Sequence, residues 1–139
     1  MHHASIRTAD IHRAIAFLRA PRLYRAGTLY RRHYPSLLAG RAGGRIELMQ
    51  VPQPRPAADA FADEHYTGYY HLSFDLTDRV ASLSEWLSQL QHQFDQASQP
   101  LIVLLSPQQQ MIGATVYEVM FLADADGLPL EFLREMGHG

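Results

Sequence analysis

One short pattern occurs twice in the chain, and that duplication restricts what it can fold into more than any other feature. His3-Ala4-Ser5-Ile6-Arg7-Thr8-Ala9-Asp10 and His71-Leu72-Ser73-Phe74-Asp75-Leu76-Thr77-Asp78 each set a His before an alternating run, with an Asp seven residues after the His. Strict alternation of apolar and polar residues marks a half-buried strand, and an Asp just beyond it sits where a helix N-cap belongs. A second echo follows in the same order. Gly43-Gly44-Arg45-Ile46-Glu47-Leu48 and Gly127-Leu128-Pro129-Leu130-Glu131-Phe132 each put a Glu inside a strand, four residues after a Gly. Two histidines and two glutamates therefore recur at equivalent places in two copies of one unit.

In the first copy, residues 3–9 read as a strand, and Asp10 caps a helix whose apolar positions are Ile11, Ala14, Ile15 and Leu18. Ile46 to Val51 is the next clear strand. Pro52, Pro54 and Pro56 then make a stiff connector that runs on to Gly68. The second copy is cleaner. A strand over 70–76 precedes a helix with Leu83, Trp86, Leu87, Leu90 and Phe94 on one face. Leu101 to Leu105 reads as a buried strand, and Ser106 to Gly113, with its three consecutive glutamines, as a loop. Val116 to Ala123 is a strand, Asp124 to Gly127 a turn by composition, and Leu128 to Leu133 the last strand. The second copy is thus β-α-β-β-β, and the first begins and ends the same way. The expected organisation is one domain over 1–139, with module one at about 1–51, a linker at about 52–68 and module two at about 69–135.

Composition removes several classes of function. With no cysteine there are no disulfides, thiolate metal sites or cysteine nucleophile. No apolar run approaches the roughly 18 residues of a membrane span, and no signal-peptide pattern opens the chain, so a cytoplasmic protein without a membrane partner is expected. A net charge of −2 gives no electrostatic argument for nucleic acid.

Residues 18–44 break the pattern. They contain no Asp or Glu but carry Arg19, Arg22, Arg25, Arg31, Arg32 and Arg41, half of the twelve basic residues, none of which is Lys. A basic surface that binds an anion or nucleic acid, a divergent region and a reading-frame shift all account for such a stretch, and the last is favoured because it can be checked on paper. Leu18 to Tyr24 can be encoded, with chosen wobble bases, by CTA CGA GCG CCT CGG CTT TAC. Read one base later, these bases give Tyr-Glu-Arg-Leu-Gly-Phe. Leu37 to Gly40 likewise yields Cys-Trp-Leu, a strand-like fragment.

His3 in HHASIRTAD, Glu47 in GRIELMQ, His71 in YHLSFDLTD and Glu131 in DADGLPLEFL resemble the vicinal oxygen chelate superfamily, specifically its glyoxalase I-like branch. The turn Asp124-Ala125-Asp126-Gly127 is similar to that family's Asp-Pro-Asp-Gly, and Tyr-Glu-Arg-Leu-Gly-Phe is similar to what the family has after its first helix. The resemblance covers everything outside 18–44. It implies an α+β fold of paired βαβββ modules forming a half-open β-barrel, a homodimer, and one divalent metal ion held by His3, Glu47, His71 and Glu131. Two imidazoles and two carboxylates suit Zn, Ni, Co, Fe or Mn. The implied activity is that of a metal-dependent lyase or isomerase acting on a small vicinal-oxygen substrate through an enediolate, with Glu131 as general base and Glu47 as opposing ligand or second base.

Two other functions stay open. An extradiol-type dioxygenase would need Fe²⁺ on two His and one carboxylate, against which Glu47 as a fourth ligand argues. A drug-sequestering module like the bleomycin-resistance proteins would need no such quartet. Taken singly, His71 also reads as a core histidine, and Glu47 and Glu131 as solvent-facing strand residues. His2 competes with His3, which strand parity and the spacing to Asp10 favour. His12, His33, His65, His92 and His138 lie outside the repeat and read as surface residues. Tyr66, Tyr69 and Tyr70 form an aromatic cluster, for which an interface or hinge is one reading and not the favoured one.

Overall fold

The computed structural model of the chain describes residues 3–20, 24–25, 36–40 and 44–138, with the backbone alone at 24–25, 36–40 and 138. The chain divides into two compact units, Met1–Ala57 and Ala58–Gly139. The first contains β1 (Ala4–Thr8), α1 (Ile11–Arg19), β2 (Tyr24–Arg25), β3 (Ser36–Gly40) and β4 (Arg45–Gln50). The second contains β5 (Leu72–Asp75), α2 (Leu83–Gln96), β6 (Ile102–Ile112), β7 (Thr115–Ala123) and β8 (Pro129–His138). Each is βαβββ, and the sheets have the same topology, β1-β4-β3-β2 and β5-β8-β7-β6. In both, the first and last strands are parallel neighbours and the remaining pairs are antiparallel.

In the first unit, the Asp10 side chain accepts from the amides of His12 and Arg13, which are orphan donors at the start of α1. Ala14, Ile15 and Leu18 are buried as expected, and Phe17 joins them, while Ile11 is only half-buried. These residues form a core with Ile46 and Leu48 of β4 and with Thr8. The Gln50 side chain accepts from the Ile11 amide, tying the end of β4 to the start of the helix.

The second unit departs from expectation in three places. Asp78 does not cap α2; the N-cap is Ser82, whose hydroxyl accepts from the Glu85 amide. After β5 the chain first turns on Asp75, whose carboxylate accepts from both the amide and the hydroxyl of Thr77. The helix therefore starts later than the spacing in the first copy implies. Ser106 to Gly113 is not a loop: β6 runs through it to Ile112 and closes on β7 by a tight hairpin at Gly113, which has φ +64°. Glycine tolerates that left-handed conformation where other residues are strained. Leu101 to Leu105 is not a buried strand either. Because β6 is the sheet edge, Ile102 is 53% and Val103 37% exposed.

One face of this sheet packs on α2. Leu83, Leu90 and Phe94 of the helix are buried, and so are Leu130 and Phe132 of β8 with Met120 and Leu122 of β7. Phe132 stacks on Phe74 at 5.2 Å and meets Trp86 at 5.1 Å. Each fully buried side chain of this kind stabilises by about 1.5–3 kcal/mol. Among the described residues no helix is long and apolar enough to cross a membrane.

Candidate metal centre

Strand alternation fixes which face the candidate donors occupy. Ile46 and Leu48 point into the core under α1, so Glu47 between them must point to the opposite side of the sheet. Leu130 and Phe132 do the same for Glu131. Parallel register then sets Ser5 opposite Glu47 and Ser73 opposite Glu131, which brings the preceding histidines alongside. His3 Nε2 lies 3.6 Å from Glu47 Oε2, and His71 Nε2 lies 3.3 Å from Glu131 Oε2. Each unit thus joins the His and the Glu expected of it.

The second pair is the more enclosed. Glu131 is buried, at 8% exposure. The Ser73 hydroxyl donates to Oε2 at 2.6 Å, the same oxygen that faces His71. The His71 ring is wedged edge-on between Tyr70, at 4.7 Å, and Phe121, at 4.9 Å. Phe61 backs this wall, 5.4 Å from Phe121. His71 Nδ1 is buried with no hydrogen-bond partner. Ring packing, rather than a bond at the far nitrogen, therefore orients the imidazole. A buried polar atom left unpaired costs about 1–3 kcal/mol.

The turn before β8 anchors Glu131 from the other side. Asp124 Oδ1 accepts from the amides of Asp126 and Leu128, and Gly127 adopts φ +87°. Burial pushes the Asp124 carboxyl above its ordinary value, against the lowering effect of those backbone bonds.

The two pairs suit a divalent cation. With metal–donor distances near 2.1 Å, two ligands at tetrahedral or octahedral angles lie about 3.0–3.4 Å apart, close to the 3.3 and 3.6 Å found here. Nitrogen with carboxylate oxygen is a donor set that Zn, Ni, Co, Fe and Mn accept. Among the described residues no group of three or more His, Asp or Glu side chains is placed to hold a metal ion, so each unit offers two donors.

His12, His65 and His92 are exposed, as expected, while His33 and the side chain of His138 lie outside the described residues. Tyr66, Tyr69 and Tyr70 are all exposed, and Tyr70 also forms part of the wall around His71. Sequence reasoning missed Ser73, Phe121 and Phe61. A signal for the serine was present, since His-x-Ser occurs in both copies, at His3 to Ser5 and at His71 to Ser73.

Solved structures share this architecture along nearly the whole chain. A glyoxalase family protein from Bacillus cereus is 18% identical, with 99% of this chain and 94% of that chain covered and a TM-score of 0.72. The chain has the glyoxalase-type fold. A glyoxalase/dioxygenase from Nostoc punctiforme shares this fold at 14% identity, covering 96% of this chain and 89% of that one, with a TM-score of 0.69. A glyoxylase/bleomycin resistance protein/dioxygenase domain from Frankia sp. is 19% identical, covering 97% of this chain and 96% of that one, with a TM-score of 0.62. No protein-family model matches the sequence, and no curated protein matches it. The resemblance read from the four motifs therefore holds for the glyoxalase-type fold.

Proposed function

We propose that this protein is a metal-dependent lyase or isomerase of the glyoxalase I type, acting on a small substrate with adjacent oxygens, such as a thiol adduct of a 2-ketoaldehyde. The observation that carries this reading is the same His–Glu pair, at the same register, in both units. His3, Glu47, His71 and Glu131 would hold one divalent cation within a homodimer. When bound, such an ion holds vicinal substrate oxygens and offsets the negative charge that develops on them. Glu131 is the general base. It takes the proton from the carbon beside the carbonyl and returns it to the neighbouring carbon, so the step is an isomerisation with no net gain or loss of atoms. Burial of Glu131 and the aromatic wall at His71 keep bulk water from competing for that proton.

Elemental analysis of the purified protein tests the reading directly. Nickel, cobalt or zinc near one equivalent is the expected result, and Glu131→Gln should lower turnover of the ketoaldehyde adduct by about 100-fold or more. Iron in place of these would favour the dioxygenase, and a protein that takes up no metal would favour the drug-binding module. Either outcome overturns the proposal.

A further inference from the structure

We infer that Ser73 is a positioning residue for Glu131, selecting which of its two carboxylate oxygens is held and which is presented. The inference rests on the proposed role of Glu131. The last torsion of a glutamate is broad and roughly two-fold, so an unrestrained carboxylate exchanges its oxygens freely. Here the exchange is stopped from one strand. Ser73 sits directly opposite Glu131 in the parallel pairing of β5 and β8, and its hydroxyl donates to Oε2 at 2.6 Å. That length falls in the range of strong, charge-assisted O–H···O⁻ bonds. His71, two residues earlier on the same face, presents Nε2 to the same oxygen at 3.3 Å. Ser73 therefore fixes Oε2 beside His71 Nε2, where the two would share a cation, and leaves Oε1 to receive a proton.

The same register recurs in the first unit. Ser5 lies two residues after His3 and opposite Glu47 in the pairing of β1 with β4, as Ser73 does with respect to His71 and Glu131. Ser73 is exposed, so its substitution removes little packing. Glu131 is buried, so the loss of a donor there is felt in full.

Cobalt(II) titration of the metal-free protein, followed by visible absorption, tests this with Ser73→Ala and Ser73→Thr. Partners one step removed from a metal ligand are typically worth 10–100-fold in affinity, so Ser73→Ala should bind cobalt about 10–100-fold more weakly and Ser73→Thr within about threefold of wild type. Equal affinity for Ser73→Ala and wild type overturns the inference, as does failure of the threonine hydroxyl to restore binding. A readout on metal-free protein separates this idea from the metal reading: the side-chain ¹³Cδ resonance of Glu131 should move in Ser73→Ala and return in Ser73→Thr. If wild type takes up no cobalt, the metal reading falls, and this resonance alone decides. A moved and restored signal keeps Ser73 in its role; an unmoved one removes it.

Discussion

A carboxylate that accepts two main-chain amides is ordinarily held low, because the bonds favour its charged form. Asp124 goes the other way: its burial at the entry to β8 outweighs the bonds from Leu128 and Asp126. A carboxyl raised on folding contributes stability that is fully present below its unfolded value of 3.8 and is lost as pH rises through the folded value. Asp124→Asn keeps the acceptor oxygen and removes the charge. Thermal melts from pH 4 to pH 8 should show this variant equal to or more stable than wild type at pH 7, with the advantage shrinking toward pH 4. The four candidate donors were legible in the sequence because duplication sets each beside its counterpart. Ser73 was not singled out, since a serine's importance depends on its neighbour across the ladder, and no single strand reveals that neighbour. Phe121 escaped for a related reason. In a strand whose neighbouring residues are all apolar, alternation does not tell which face a side chain takes.

Helix α2 is fastened to its sheet by a side chain that no sequence pattern singles out. Glu118 Oε2 accepts from the Leu83 amide at 2.9 Å and from Arg134 Nε at 3.2 Å, while Glu118 and Arg134 face each other across β7 and β8. The carboxylate thereby satisfies an orphan donor in the first turn of the helix and sits at its positive end. Glu118→Ala would leave Arg134 and that amide half-buried without their acceptor, and should lower unfolding stability by roughly 2–3 kcal/mol in urea titrations. Arg134→Ala should cost less, because Glu118 keeps its bond to the helix. The strongly periodic elements α1, β1 and β4 fell where the sequence implied, and α2 kept its expected apolar face but began later. The misreadings were β6, whose glutamine run mimics a solvated loop because an edge strand has little to bury, and the cap of α2. Asp78 matched Asp10 in spacing, but Asp75 and Thr77 divert the chain into an extra turn before Ser82 takes over the capping.

Two units with one topology account for the described residues, except that 18–44 keeps its anomaly. Of that stretch, Leu18 to Ala20, Tyr24–Arg25 and Ser36–Gly40 are described together with Gly44, while the other positions of the frame-shift reading lie outside the described residues. If the shift is real, peptide mapping of the native protein should return Tyr-Glu-Arg-Leu-Gly-Phe after the first helix, and its intact mass should depart from 15.7 kDa. A native peptide map that reads straight through 18–44 in the given frame would end that explanation. The strand order also says how much such an error would matter. β1 and β4 are hydrogen-bonded to each other, and β3 then β2 follow on the far side of β4. The residues that would carry chemistry in this half lie on or beside the adjoining pair, whereas the scrambled text supplies only the outlying strands. A gene could therefore corrupt the middle of its first half and still deliver His3 and Glu47 to each other, so loss of fold would precede loss of ligands.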